Sequence, residues 1–275
     1  MQDIGIATFL MLLWKDTYGP ETIPPDHLST VAAPNTPTAP PDAEPWRRWP
    51  RPLGGFVDLG CGNGLLTHIL ISEGYAGYGF DLRARTSWTY YPQATQSHLF
   101  VRALDPTAPT SVLPTTKDHH QQNRDPIPSS PQPPDKGKNG DDEAEAEANG
   151  GSSSMEDPDV LLPAGCFLIG NHADELTPWI PALATRHRAS GYLSIPCCAW
   201  SFDARFDRSR DVPLCTVDPE SLNLGGGEAS GSSSSSSYAL YRVWLAALSV
   251  HCGWAVEVEM LRIPSTRNWA IVGEF

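Results

Sequence analysis

Three things are missing from this sequence: a membrane-spanning run, paired cysteines and a surplus of positive charge. The apolar N-terminal segment, Ile4 to Trp14, is much shorter than the roughly 20 residues that cross a bilayer. It carries Asp3 at its start and has no basic flank, so a core-packing helix is expected there and a signal sequence is not. The six cysteines stand at 61, 166, 197, 198, 215 and 252, and none forms a C-x-x-C pair. That pattern argues for reduced thiols and against a disulfide frame or a zinc site, so no metal is expected. With no other targeting signal, the expected location is cytoplasmic or nuclear. Net charge is −13, which taken alone disfavours a polyanionic partner. Between Asp105 and Asp159, however, 12 acids face 4 bases, which leaves only −5 on the rest of the chain. A local basic face therefore remains open to the folded part.

Proline (27) and glycine (23) are plentiful and clustered, as are the serines. Disordered segments are expected at 19–45, at 106–159 with its acidic run Asp141 to Glu147, and at 218–237 with its six consecutive serines. Their removal leaves about 175 of the 275 residues, enough to bury the interior of a single α/β domain over 1–275. In that remainder a helix is predicted at Asp3–Lys15, followed after the linker by alternating strands and helices. Strands are predicted at 56–59, 77–82, 98–104, 166–170 and 192–196, with helices over 65–73, 177–188 and 238–251. Two last strands, 254–263 and 269–275, have no helix between them and must pair as a hairpin. Alternation implies a parallel, doubly wound sheet, and the closing hairpin makes it mostly parallel with one antiparallel strand. Seven strands in that arrangement look like the class I methyltransferase form of the Rossmann-like fold.

The strongest chemical signal is a strand followed by Asp58-x-Gly60-x-Gly62-Asn63-Gly64 and a helix. Gly60 allows the tight turn, Gly62 lets backbone approach a ligand, and Gly64 is expected to permit close helix-to-strand contact. A G-x-x-G spacing after the first G-x-G would serve a pyrophosphate at the helix N-terminus. The shorter spacing here, with an acid ending the strand, suits a cationic amino-acid ligand such as S-adenosylmethionine. Asp58 is expected to orient its ammonium group and Asp81, at the next strand end, to accept the ribose hydroxyls. Asp105, at the expected end of the third strand, is a candidate for the adenine. Turn glycines with solvent-facing aspartates, or a dinucleotide site, are the competing readings of the loop.

Further along, the residues resemble a known family. Phe56 to Leu66, Glu73-Gly74-Tyr75 and Gly79-Phe80-Asp81-Leu82-Arg83-Ala84-Arg85 are similar to the tRNA (uracil-2′-O-)-methyltransferases, which methylate the ribose of uridine 44 in serine tRNA. The stretch Leu168 to Pro181, Ile195-Pro196-Cys197-Cys198, Leu261 to Asn268 and the N-terminal Asp3-Ile4-x-Ile6-Ala7-x-Phe9-Leu10 carry the same resemblance. It covers essentially all of the chain outside the low-complexity inserts, although family members often extend further at both ends. It implies S-adenosylmethionine as cofactor and tRNA, serine tRNA above all, as partner, with neither DNA nor a membrane. No oligomeric state follows from it. A catalytically inactive module binding RNA or protein, or a class I methyltransferase with another substrate, are the alternatives.

Ribose methylation needs in-line placement of a weakly nucleophilic hydroxyl, and a general base can add to it. Many ribose methyltransferases of this fold use a Lys-Asp-Lys-Glu set, but no lysine follows Lys138 here, so that tetrad cannot be completed. The candidates lie after the fourth strand: Asn171 to position the sugar and Asp174 as base or hydroxyl acceptor, with His172 and Glu175 beside them. Helix capping is the competing role for Asp174 and Glu175, and a hydrogen-bonded structural role for His172. Cys197 and Cys198 are expected as small residues on the pocket floor. For RNA the candidates are Arg83, Arg85, Arg205, Arg208, Arg210, Arg262 and Arg267, with Trp46, Trp88 and Trp200 available for stacking.

Overall fold

The computed structural model describes residues 1–19, 44–108, 161–213, 215, 217–218 and 236–274. Apart from Leu161, these belong to one compact unit, Met1–Pro109 with Leu162–Phe275. Most of the segments expected as disordered at 19–45, 106–159 and 218–237 lie outside the described residues.

A parallel strand buried on both faces must be apolar almost throughout, and three short runs meet that demand. They are β1 (Phe56–Leu59), β4 (Phe167–Asn171) and β5 (Gly191–Ile195), whose residues are buried except for Asn171 at a strand end. To these are added β2 (Gly77–Asp81), β3 (Leu99–Val101), β6 (Ala255–Met260) and β7 (Trp269–Glu274). The sheet runs β3-β2-β1-β4-β5-β7-β6. Strand β7 is antiparallel to both β5 and β6, and the other pairings are parallel. This seven-stranded order with its single reversed strand is the class I methyltransferase fold.

Helix α1 (Gln2–Thr17) buries Ile6, Ala7, Leu10, Met11 and Trp14, one stripe at helical spacing. With Leu66 and Leu70 of α2 (Leu65–Ser72) it covers the sheet face made by Leu193, Ile195, Ala270 and Val272. Helix α5 (Ser237–His251) covers the opposite face, where Tyr241, Trp244 and Leu245 meet Val258 and Ile271. Alternating residues of β7 thus serve both cores, as the period of two requires.

Several boundaries differ from expectation. Between β2 and β3 the chain forms a 3-10 turn at Thr86–Tyr90 and a one-turn helix, α3 (Gln93–Gln96); neither has an amphipathic stripe long enough to read. β3 stops at Val101, three residues before Leu104. The helix expected from Thr177 begins as a 3-10 segment, Asp174–Trp179, and becomes α4 only at Ile180–Arg186. Pro178 and Pro181 account for that, since each lacks the N–H an α-helical bond requires. A small hairpin, Trp200–Ser201 with Ala204–Arg205, follows β5. No helix among the described residues is long and apolar enough to cross a membrane.

Trp14 fastens α1 to the sheet. Its ring lies 6.2 Å from that of Phe56, 5.2 Å from Tyr75 and 5.4 Å from Phe167, and the residue is fully buried. Trp14→Ala should therefore destabilise the fold by about 3–5 kcal/mol, read as a lowered urea midpoint, whereas Trp14→Phe should retain more than half of that.

Candidate active site

The C-terminal ends of β1, β2 and β4 surround a cleft of about 570 Å³. Open α/β sheets bind ligands at such strand ends, where neighbouring connections leave on opposite faces. The glycine loop, Asp58, Asp81, Asn171 and Asp174 line it, and so do Gln2 and Asp3. Those last two arrive because α1 runs against the strands and brings its N-terminus to their carboxyl ends.

Gly60, Gly62 and Gly64 all adopt left-handed backbone, with φ of 67°, 54° and 77°. A Cβ on Gly64 would stand 3.0 Å from Leu99 Cδ1 and 3.2 Å from Trp88 Cδ1. Gly64 therefore closes on side chains below the loop; the close helix-to-strand approach lies elsewhere, at Gly79. There a Cβ would meet Thr67 Oγ1 at 2.5 Å and Cys61 Cβ at 2.7 Å, so only glycine lets α2 settle on β2. Trp88 is buried with Leu99 and Cys61 and donates from Nε1 to the Gly62 carbonyl at 2.9 Å. It supports the loop and is not free to stack on a base, against the sequence expectation. Asn63 Oδ1 accepts the Leu65 N–H at 2.9 Å, closing the turn into α2.

Asp58 is only 2 % exposed. Its Oδ2 accepts the Thr67 hydroxyl at 2.9 Å, the consequence of Gly79 letting that helix close in. Burial pushes the Asp58 carboxyl up to about 7, with the Thr67 bond opposing and the Asp3 and Asp81 charges adding to the rise. Asp81 accepts the Gly62 N–H at 3.0 Å on Oδ2, and the Arg83 N–H (3.2 Å) and Arg85 Nη2 (3.4 Å) on Oδ1. This carboxylate thereby ties the glycine loop to the end of β2. Asp105 is not brought to the cleft. With β3 ending at Val101 it is exposed and caps its own turn, accepting the Thr107 N–H at 2.9 Å and hydroxyl at 2.6 Å, which holds it below the usual carboxylate range. Leu104 and Arg102 line the cleft on that side instead.

On the opposite wall, Asn171 ends β4 and donates from Nδ2 to Asp3 Oδ1 at 3.3 Å, while its buried Oδ1 has no partner among the described residues. His172 and Asp174 both take left-handed backbone, with φ of 57° and 45°. For non-glycine residues such geometry costs on the order of 1–3 kcal/mol each and clusters at functional sites. Gln2 Nε2 lies 2.6 Å from His172 Nε2, so the amide donates to the ring and leaves the imidazole proton on Nδ1, which is buried and without a partner among the described residues. Burial holds the His172 pKa down despite the Asp174 and Asp3 charges. Asp174 is exposed and opens the 3-10 segment, whose N-cap position is Ala173; its Oδ1 accepts the Cys197 thiol at 2.9 Å.

Of the basic candidates, Arg205, Arg208 and Arg210 line one shallow recess with Phe206 and Ser237, apart from the residues lining the glycine-loop cleft. Arg205 stacks over Trp200 at 4.3 Å, and Arg210 is paired with Asp211 at 3.0 Å. Arg267 lies 3.9 Å over Tyr238, whose other neighbour is Arg242 at 5.5 Å, itself 3.9 Å over Trp269. Trp46 donates to Glu73 at 2.7 Å. No sequence signal assigns Gln2 or Asp3 to the cleft, because nothing local says which sheet end a leading helix will reach.

Asp58 imposes a pH dependence with a defined sign. Its carboxyl is raised to about 7 in the folded chain and returns to about 4 when unfolded, so its contribution is intact below about pH 4 and is lost as pH rises toward 7. At about 1.4 kcal/mol per pH unit, carrying the charge costs the ligand-free fold on the order of 4 kcal/mol. Asp58→Asn should flatten the urea midpoint between about pH 4.5 and 7.5 and raise it at the upper end; an unchanged profile would refute the buried-acid assignment.

Residues 50–106, which contain the glycine loop, match the family described as "Predicted AdoMet-dependent methyltransferase". The chain is 34 % identical over 272 residues to a tRNA (uracil-O(2)-)-methyltransferase of Schizosaccharomyces pombe, covering 99 % of this chain and 40 % of that protein. A Neurospora crassa protein of the same name is 35 % identical, with the same coverage. A "Probable tRNA (uracil-O(2)-)-methyltransferase" of Drosophila melanogaster is 27 % identical over 99 % of this chain and 32 % of that protein. No solved structure gives a significant match. The chain spans about two fifths of the length of the first two relatives. In sequence the chain is similar to the tRNA (uracil-O(2)-)-methyltransferases, and its sheet order is that of the class I methyltransferase fold.

Proposed function

We propose that this chain is the methyl-transferring part of a tRNA ribose 2′-O-methyltransferase that uses S-adenosylmethionine and modifies a uridine of serine tRNA in the cytoplasm. The observation that carries this reading is a nearly buried carboxylate, Asp58, at a glycine loop, facing Asn171 and Asp174 across one cleft. Its support in sequence is the similarity to the named tRNA methyltransferases over nearly the whole chain. The six free cysteines suit a reducing compartment.

The residues present fit S-adenosylmethionine. Asp58 is an acid raised in pKa by burial, which an ammonium would stabilise as carboxylate. A Cβ at Gly60 would meet nothing within 4 Å, so the loop leaves open room at the strand end. Asp81, only 12 % exposed at its side chain, stands where ribose hydroxyls would be accepted. Bound there, the cofactor supplies an electrophilic sulfonium methyl. Asp58 would hold the amino-acid end, Asp81 the ribose, and Leu104 would replace Asp105 in bordering the adenine.

Across the cleft, the Asn171 Oδ1, unpartnered among the described residues, would accept from the substrate sugar and the Asp174 carboxylate would orient the 2′-hydroxyl. Placement of that oxygen in line with the methyl would lower much of the barrier, by up to about 7–11 kcal/mol in favourable cases. His172 stays neutral and offers only its Nδ1 proton, so it serves as a donor and not as the base. Arg267, half-buried over Tyr238, is a guanidinium that could meet phosphate near the end of β5, whereas Arg242 beside it is buried.

Two measurements test this. Asp81→Ala should weaken S-adenosylmethionine binding about 10- to 100-fold by calorimetry, the equivalent of a charge-assisted bond of roughly 1.5–3 kcal/mol. Labelled methyl should pass to serine tRNA, be lost on a transcript with 2′-deoxyuridine at the target, and fall about 100-fold or more with Asp174→Asn. Label surviving the deoxy substitution would overturn ribose methylation.

A further inference from the structure

Adjacent residues of an extended chain point to opposite faces, so two neighbouring cysteines are not expected to serve one site. Here β5 ends at Ile195, and the chain bends at Cys198. The Cys197 and Cys198 sulfurs and a carboxylate oxygen of Asp174 all lie within 4.8 Å of one another. The Cys197 thiol already donates to Asp174 Oδ1 at 2.9 Å. Asp174 reaches them through a left-handed backbone, two residues after His172 takes the same strained form. Strain of this kind persists only where the surroundings over-determine it.

We propose that Asp174, Cys197 and Cys198 bind a zinc ion at the rim of the cleft. Two thiols and one carboxylate are a donor set for a borderline-soft divalent cation, not for magnesium or calcium. Tetrahedral zinc, with bonds of about 2.3 Å to sulfur and 2.0–2.2 Å to oxygen, sets its ligand atoms roughly 3.5–4 Å apart. Three protein ligands with a fourth position open is the pattern of catalytic zinc sites, whereas structural sites close all four. Binding would break the thiol-to-carboxylate hydrogen bond and release the two thiol protons to solvent.

Two thiolates and a carboxylate exceed a divalent cation by one negative charge. Tyr238, whose hydroxyl donates to the Pro196 carbonyl at 2.8 Å, carries the Arg267 guanidinium at 3.9 Å and that of Arg242 at 5.5 Å. Asp174 also lines the cleft, so the cation would border the position of the acceptor hydroxyl. What it does there rests on the methyl-transfer reading: a hydroxyl taken at the open position would lose its proton more readily, and Asp174 would orient it through the metal.

The test is metal content, read without tRNA or cofactor. Full chain stripped with a chelator, reloaded with zinc and dialysed should retain about one zinc per chain by mass spectrometry. Cobalt in its place should show thiolate-to-metal absorption. The double variant Cys197→Ser/Cys198→Ser should lose both signals, and Asp174→Asn should weaken zinc binding tenfold or more. Cys252→Ser, outside the cluster, should keep both, with circular dichroism confirming that each variant is folded. No retained zinc, or equal zinc in the double variant, overturns the site. Retained zinc in a chain that transfers no methyl overturns the functional reading and leaves the site standing.

Discussion

The hydrogen bond from Thr67 to the buried Asp58 carboxylate is the constraint on which the rest of the site depends. It exists because α2 lies close enough to β2 for a Cβ at residue 79 to be impossible. That closeness draws the glycine loop tight over Trp88 and Leu99, and it sets the height at which Asp81 can catch the Gly62 N–H. A carboxylate buried this deeply is a liability for the empty fold, since desolvation disfavours its charge. In the proposed function that liability would become selectivity, because the same desolvation favours a ligand that brings positive charge.

The two walls of the cleft are built by different means. On the glycine side the backbone does the work: three left-handed glycines, a carbonyl held by an indole N–H and an amide held by a carboxylate. The facing wall is made of side chains in tension. His172 and Asp174 sit in left-handed backbone without the freedom of glycine, and Asn171 and His172 each keep a buried polar atom unmatched among the described residues. Polar groups left in that condition cost free energy in the empty protein, and a ligand that satisfies them recovers it. The leading helix joins the walls, since Asp3 reaches Asn171 while Gln2 reaches His172.

Much of this was legible in order along the chain. The glycine loop, the acids ending β1 and β2, and the helix-free interval before β7 each announced themselves, because they are local patterns with a local physical cause. A short apolar run bounded by glycine and acid can hardly be anything but a buried parallel strand, and a strand pair without an intervening helix must close antiparallel. Asp105 misled for the same local reason. An acid before a proline looks like a strand end, but the strand had already stopped at Val101, where its pairing with β2 ended.

The sequence by itself determined the class of fold and the strand that carries Asp58, and it suggested the kind of ligand proposed for its loop. Tertiary structure alone decided which distant residues meet: Gln2 and Asp3 at the ends of strands fifty and more residues away, Trp88 beneath the loop instead of on the surface, and Asp174 against two adjacent thiols. Propensity and spacing act over a turn or a strand. Contacts such as these are fixed by how helices of given length cross a twisted sheet, and that depends on the whole packed core at once.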